Sequence, residues 1–149
     1  MNLRVIAAAV SGAIVLAVLE GVTYGILLPG FIDANRIEYS GLIKNPPDPI
    51  PYALFNLVWS SLLAVFFDKW AGIRTFAAGA LAGAVIMVAV VLGINFGYLA
   101  FFNLLKNSVV VIAVKLIAMA ITGAIAGGLI AVILGKSRTP AMAANEYAR

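Results

Sequence analysis

The chain has 149 residues, of which 64% are hydrophobic and 11% charged, with a formal net charge of +4; a soluble globular domain carries roughly 45–50% apolar and about 25% charged residues. Cysteine and histidine are both missing, which removes structural disulfides, thiol redox chemistry, cysteine–histidine zinc sites, the usual haem ligand and any histidine-based catalytic triad.

The few charges divide the chain into four apolar windows. Between Arg4 and Asp33 the only charge is Glu20; between Asp48 and Asp68, and between Arg74 and Lys106, there is none; between Lys106 and Lys136 there is only Lys115. Each window is close to or above the roughly 20 residues that carry a helix across about 30 Å of hydrocarbon. The alternation of roughly ten residues per strand that a membrane barrel needs is missing. The expectation is an all-α integral membrane four-helix bundle, a single transmembrane domain over 1–149. Its helices are expected at Val5 to Leu28, Tyr52 to Phe67, Phe76 to Phe102 and Val109 to Leu134, with an outer loop over 29–51 and a cytoplasmic tail over 136–149.

The first window is far longer than the roughly 7–15-residue apolar core of a signal peptide, and its small residues Ala7, Ala8 and Ala9 sit at its start. It reads as an uncleaved helix. Glu20 shares a face with Ala9, Ala13, Ala17 and Tyr24, and a stripe of small residues turns toward other helices more readily than toward lipid. In the outer loop, Asn45-Pro46-Pro47-Asp48-Pro49-Ile50-Pro51 fixes φ at its prolines and favours an extended path. This is a stiff spacer that starts the second helix with Pro51 in its first turn; a partner epitope is the other reading. In the second helix, Tyr52 and Trp70 fall at the two interfaces, where amphipathic rings settle. Trp59 falls near mid-membrane, so its indole N–H needs a partner within the bundle or on a neighbouring helix.

Small residues recur four apart at Gly21/Gly25, Gly79/Gly83, Gly93/Gly97 and Gly123/Gly127, a spacing that lets helix backbones approach closely in lipid. On the third helix Gly79, Gly83, Ile86, Val90, Gly93 and Gly97 follow a heptad-like seam. Asn95 lies about 200° round the helix from that seam, so the third helix has two engaged sides and is expected either at the centre of the bundle or against an outside partner. In the fourth helix Lys115, Ala118, Thr122 and Ala126 share a stripe beside Gly123.

An ungapped offset of 72 lays the first helix on the third, with Gly21-Val-Thr-Tyr-Gly25 on Gly93-Ile-Asn-Phe-Gly97. Separately, the second and fourth helices match at their inner ends, Leu62 to Lys69 against Leu129 to Lys136. If this is a duplication, the chain is two hairpins related by a pseudo-twofold along the membrane normal. Repetition alone does not settle function.

Lysine and arginine give the orientation. Arg4, Lys69, Arg74, Lys136, Arg138 and Arg149 fall on the side of the termini and the short second loop, against Arg36, Lys44 and Lys106 opposite. The positive-inside rule places both termini in the cytoplasm, and the expected location is a prokaryotic inner (plasma) membrane.

With a rise of about 1.5 Å per residue, Glu20 comes roughly 5 Å and Lys115 roughly 10 Å outward of the midplane. Asn56, Asn95 and Tyr24 fall in the same half, so every helix supplies a polar group to one layer. An intramembrane charge needs a partner, water or a job. Three readings are open: a structural Glu20–Lys115 ion pair; a neutral Glu20 with Lys115 snorkelling outward; or Glu20 as an exchanging carboxylate with Lys115 as its counter-ion. A single carboxylate in the first of four short helices invites comparison with small multidrug transporters. The proline-rich loop, the charge bias and the missing proline-glycine-aromatic pattern in the third helix depart from that family, and no residue carries over.

The paired carboxylates, histidine bases and metal clusters of membrane enzymes are missing, so catalysis is not expected, and the expected cofactor and metal complement is none. The glycine seams point to a non-catalytic protein acting by helix association, as a homo-oligomer or an accessory subunit of a larger membrane complex, with the bilayer and other membrane subunits as partners and no nucleic acid. The alternative is a proton- or cation-coupled carrier or channel using Glu20. A binding module for an apolar pigment, quinone or lipid is a third class.

Overall fold

The computed structural model describes residues 2–44 and 46–136. The tail beyond Lys136, with Arg138 and Arg149, and Asn45 of the proline-rich segment lie outside the described residues. All elements within them are helical: α1 (Leu3–Val22), which runs into a π-turn (Thr23–Leu27); a short α2 (Pro29–Asn35); α3 (Pro49–Phe66), ending in a second π-turn (Phe67–Ala71); α4 (Phe76–Phe101); and α5 (Ser108–Gly135). Four stretches are long and apolar enough to span a membrane: Leu3–Leu27, Pro49–Ala71, Phe76–Phe101 and Ser108–Gly135, of 25, 23, 26 and 28 residues.

The ends follow local chemistry. α3 starts at Pro49, three residues before the expected Tyr52, because Pro49 and Pro51 occupy a first turn whose N–H groups need no helical partner. Gly72, at φ 61°, ends the second π-turn in the left-handed conformation that glycine adopts without penalty. Thr75 caps α4 by accepting the Ala78 N–H at 3.4 Å. The loop expected over 29–51 is partly helical, since α2 opens with Pro29.

The helices do not surround a common axis equally. α5 packs against α4 along one side and against α1 along another, while α3 lies mainly on α1. α5 is the central helix, with 11 buried residues, among them Thr122, Gly123, Ala126, Gly127 and Ile130; α4 buries only Gly79, Gly83, Met87 and Asn95. The central place expected for α4 therefore belongs to α5.

The α4–α5 interface explains why. A Cβ on Gly79 would strike Ala131 and the Gly127 carbonyl, one on Gly83 would strike Gly123 and Gly127, and one on Gly123 would strike Gly83 and Met87. Each step of four along α4 is thus met by a step of four back along α5: Gly79 faces Ala131, Gly83 faces Gly127 and Met87 faces Gly123. Rows of every fourth residue are the ridges of glycine-mediated right-handed crossings. The heptad-like reading carried the seam through Ile86 and Val90 to Gly93 and Gly97. The actual ridge passes through Val91, packed on the Met87–Met119 cluster, to buried Asn95.

On α1 the buried residues are Val5, Ala8, Ala9, Gly12, Leu16 and Glu20; the stripe keeps the expected Ala9 and Glu20 but runs through Gly12 and Leu16 in place of Ala13 and Ala17. Val5, Ala8 and Ala9 meet Leu63 and Ala64 of α3, Phe67 of the second π-turn and Ile130, Ala131 and Leu134 of α5 in the main apolar cluster. Gly12 is in contact with Ser60 and Ile130, so three helices converge there. Ser60 donates to the Ala9 carbonyl at 2.6 Å.

The two hairpins are held differently, α4 to α5 by interlocked glycine backbones and α1 to α3 by the Ser60 and Tyr52 hydroxyls. The α3–α4 turn is tied by an Arg74–Asp68 ion pair at 2.8 Å, with Lys69 at 3.7 Å from the same carboxylate. Gly135 packs directly on the Arg74 backbone, joining this turn to the end of α5. At the other end, the connection after α2 pairs with the α4–α5 loop: Ile37 N–H donates to Leu104 O at 2.9 Å and Lys106 N–H to Asn35 O at 2.8 Å.

Candidate functional site

The polar groups expected in one layer fall into two separate sets. The first lies between α1 and α3. Glu20 is 8% exposed and lies one helical turn before Tyr24. Tyr52 donates to the Ala17 carbonyl at 2.9 Å, which ties the start of α3 to α1. Asn56, 1% exposed, donates to Tyr52 O at 3.0 Å, and its side-chain oxygen is buried without a hydrogen-bond donor. Trp59 completes this side by packing on the Leu16–Met87–Met119 cluster and edge-on to Phe55, with ring centroids 6.3 Å apart.

The second set lies between α4 and α5. Continuing the matched steps of four brings Asn95 opposite Lys115, one ridge step beyond Val91 and Met119. Both line a cleft of about 430 Å³, walled by Tyr98 and Leu99 of α4 and Phe102 just past its end, and roofed by Ile32, Arg36, Leu42 and Ile43 of the long loop. Asn95 donates one amide hydrogen to Val91 O at 2.7 Å. Arg36 is held in place by the backbone pairing of Arg36 with Leu105 and by its ion pair with Asp33 at 3.0 Å.

No ion pair joins Glu20 to Lys115. Among the described residues the ion pairs are Arg36–Asp33, Lys44–Asp48, Lys69–Asp68 and Arg74–Asp68. The helical period gives the reason. The row of α5 that faces α1 and α3 runs Leu134, Ile130, Ala126, and the same spacing carries it through buried Thr122 to Ala118. Lys115 belongs to the neighbouring row, which faces α4. In this arrangement Lys115 lines the cleft with Asn95 of α4 and does not pair with Glu20.

The glycines divide in the same way. Gly79, Gly83, Gly123 and Gly127 are locked in the α4–α5 seam, whereas a side chain at Gly21, Gly25, Gly93 or Gly97 would meet nothing within 4 Å. Gly12, Gly128, which lies on the Phe76 ring, and Gly135 are close-packed without belonging to any glycine pair four apart; their small partners at that spacing are Ala8, Ala124 and Ala131.

What the site can do chemically is limited. The described residues contain no cluster of three or more acidic side chains able to hold a metal ion. The first set offers one carboxyl and a buried amide acceptor; the second offers a lysine, an amide and an arginine over an apolar floor. Comparison with protein-family models, with curated proteins and with solved structures finds no match, so the chemistry of these two sets is the ground for a functional reading.

Proposed function

We propose that this protein is a non-catalytic membrane component that acts through lateral helix association, as a homo-oligomer or as an accessory subunit of a larger membrane complex. The observation that carries the proposal is the face of α4 that bears Gly93 and Gly97. α4 packs mainly on α5, and a side chain at either glycine would meet nothing within 4 Å among the described residues, which leaves a close-approach surface on that face. Gly21 and Gly25 leave a similar surface at the loop-side end of α1. In lipid such surfaces favour association through backbone packing, because hydrophobic driving force between helices is absent. The charge distribution supports a membrane orientation with both termini cytoplasmic, in a prokaryotic inner membrane.

The test is association in a mild detergent or bilayer. Gly93→Leu with Gly97→Leu is expected to reduce self-association or copurification of partner subunits by about tenfold or more while the monomer stays folded, since the new side chains enter open space. Unchanged assembly in that double variant would count against this surface.

A second reading is favoured by Glu20 itself: it is 8% exposed and has no ion-pair partner among the described residues, while the nearby Asn56 acceptor is unsatisfied. A carboxyl in that setting suits proton or cation exchange across the bilayer. Flux into reconstituted vesicles that is abolished by Glu20→Gln would support this reading; flux unchanged by the substitution would remove Glu20 from it.

A further inference from the structure

We infer that the cleft between α4, α5 and the long loop binds the anionic oxygen head group of a membrane amphiphile, with Lys115 as its principal partner and the acyl chain leaving past Tyr98, Leu99 and Phe102.

The cleft has the build of a ligand site. Its volume of about 430 Å³ lies within the roughly 300–1,000 Å³ of small-molecule pockets, which are mostly apolar with a few convergent polar groups. Here those groups are Lys115, Asn95 and Arg36. Lys115 projects from within a membrane span, is half-buried, and has no acidic partner among the described residues. An ammonium at such depth is strongly unfavourable unless an anion or water compensates it. Arg36 adds a second cation at the roof. The carboxylate that pairs with it, Asp33, is 59% exposed and does not line the cleft. The interior is therefore positive, and Asn95, with one amide hydrogen used on Val91, keeps its second for an incoming oxyanion.

The mouth decides between a dissolved anion and an amphiphile. Tyr98 and Leu99 at the end of α4 and Phe102 just beyond it are 50%, 45% and 57% exposed, an apolar wall against which an acyl chain can lie. Upward access is restricted by the long loop, which Ile37, Asn35 and Lys106 fasten to the α4–α5 loop. A head group entering laterally would leave its chain against the aromatic and leucine wall, whereas an anion from water would find no polar entry on that side.

Delipidated protein titrated with phosphatidylglycerol, with phosphatidylcholine of the same chains and with a long-chain fatty acid, read by native mass spectrometry, tests this inference. Phosphatidylglycerol is expected to bind at least about tenfold more tightly than phosphatidylcholine, and Lys115→Met to remove about tenfold of that affinity, as loss of a charge-assisted hydrogen bond does. Lys115→Arg should restore it. Lys44→Met, whose partner Asp48 lies outside the cleft, should leave it unchanged. Leu99→Trp fills the mouth without touching a charge and should also weaken binding, so it decides the matter if Lys115→Met fails to fold. Retention of the fatty acid but not of phosphatidylglycerol supports the same cationic site with a free carboxylate as its occupant. Equal binding of phosphatidylcholine and phosphatidylglycerol, or wild-type affinity for every anionic lipid in both Lys115→Met and Leu99→Trp, overturns it.

Discussion

Gly83 shows how much one hydrogen atom in place of a methyl group determines here. Its Cα sits against the backbone of Gly123 and Gly127, so even Ala at this position must push two helices apart. We predict that Gly83→Leu destroys the α4–α5 contact and lowers stability by more than about 3 kcal/mol, in the range of severe packing defects, read by denaturant-induced unfolding in mixed micelles. Gly97→Leu should change the same unfolding curve by less than about 0.5 kcal/mol, because the added side chain meets nothing within 4 Å. A large loss in Gly97→Leu, or none in Gly83→Leu, would show that the seam is misplaced. Ser60 makes a smaller contribution. Its 2.6 Å bond to the Ala9 carbonyl is of the interhelical kind that averages about 0.6 kcal/mol in membrane proteins, so Ser60→Ala should cost about 0.5–1.5 kcal/mol. Glu20 and Lys115 provide a sharper contrast, since without an ion pair their double-variant cycle (Glu20→Gln with Lys115→Met) should be additive to within about 0.5 kcal/mol. A coupling well above that value would mean that the two side chains meet after all.

At the scale of elements, the four apolar windows of the sequence contain enough to place every spanning helix, because membrane spans are written in length and hydrophobicity, and both are local. Their mutual arrangement is not local. Gly79/Gly83 and Gly93/Gly97 look alike as sequence, yet one pair is interlocked and the other open. The difference lies in the contact row on α4, which advances by four residues through Gly79, Gly83 and Met87 to Asn95 and passes Gly93 and Gly97 by. Once that row is known, Asn95 and Lys115 follow as neighbours in one cleft. The polar groups were legible in the sequence; their partners were not. Ser60, Gly12 and Gly128 have small residues four away, as many other positions here do, so spacing does not single them out; they matter because of what lies opposite them. The α3–α4 turn is also tied non-locally. Arg74→Met removes its 2.8 Å pair with Asp68, whose side chain is 18% exposed. The expected cost is about 1 kcal/mol, since partial exposure limits such a pair, measured by the same unfolding assay. No change on this substitution would mean that Gly135 against the Arg74 backbone is enough to hold the turn.

As a whole molecule the protein is asymmetric, with a tightly packed centre on α5, α3 held at one flank and α4 at the other. α4 meets the rest mainly through its seam with α5, with Ala82, Ile86, Met87 and Val91 also packed on the two apolar clusters, and a side chain at Gly93 or Gly97 would meet nothing within 4 Å among the described residues. On the proposed reading, that face is where a second protein docks. The measurement that tests this most directly is the mass of the intact assembly extracted from its native membrane in mild detergent, for the wild-type chain and for Gly93→Leu with Gly97→Leu. The account predicts a homo-oligomer or a complex with other membrane subunits for the wild type, and a folded, unaccompanied monomer for the double variant. A wild-type chain that emerges strictly monomeric with nothing copurified would contradict it.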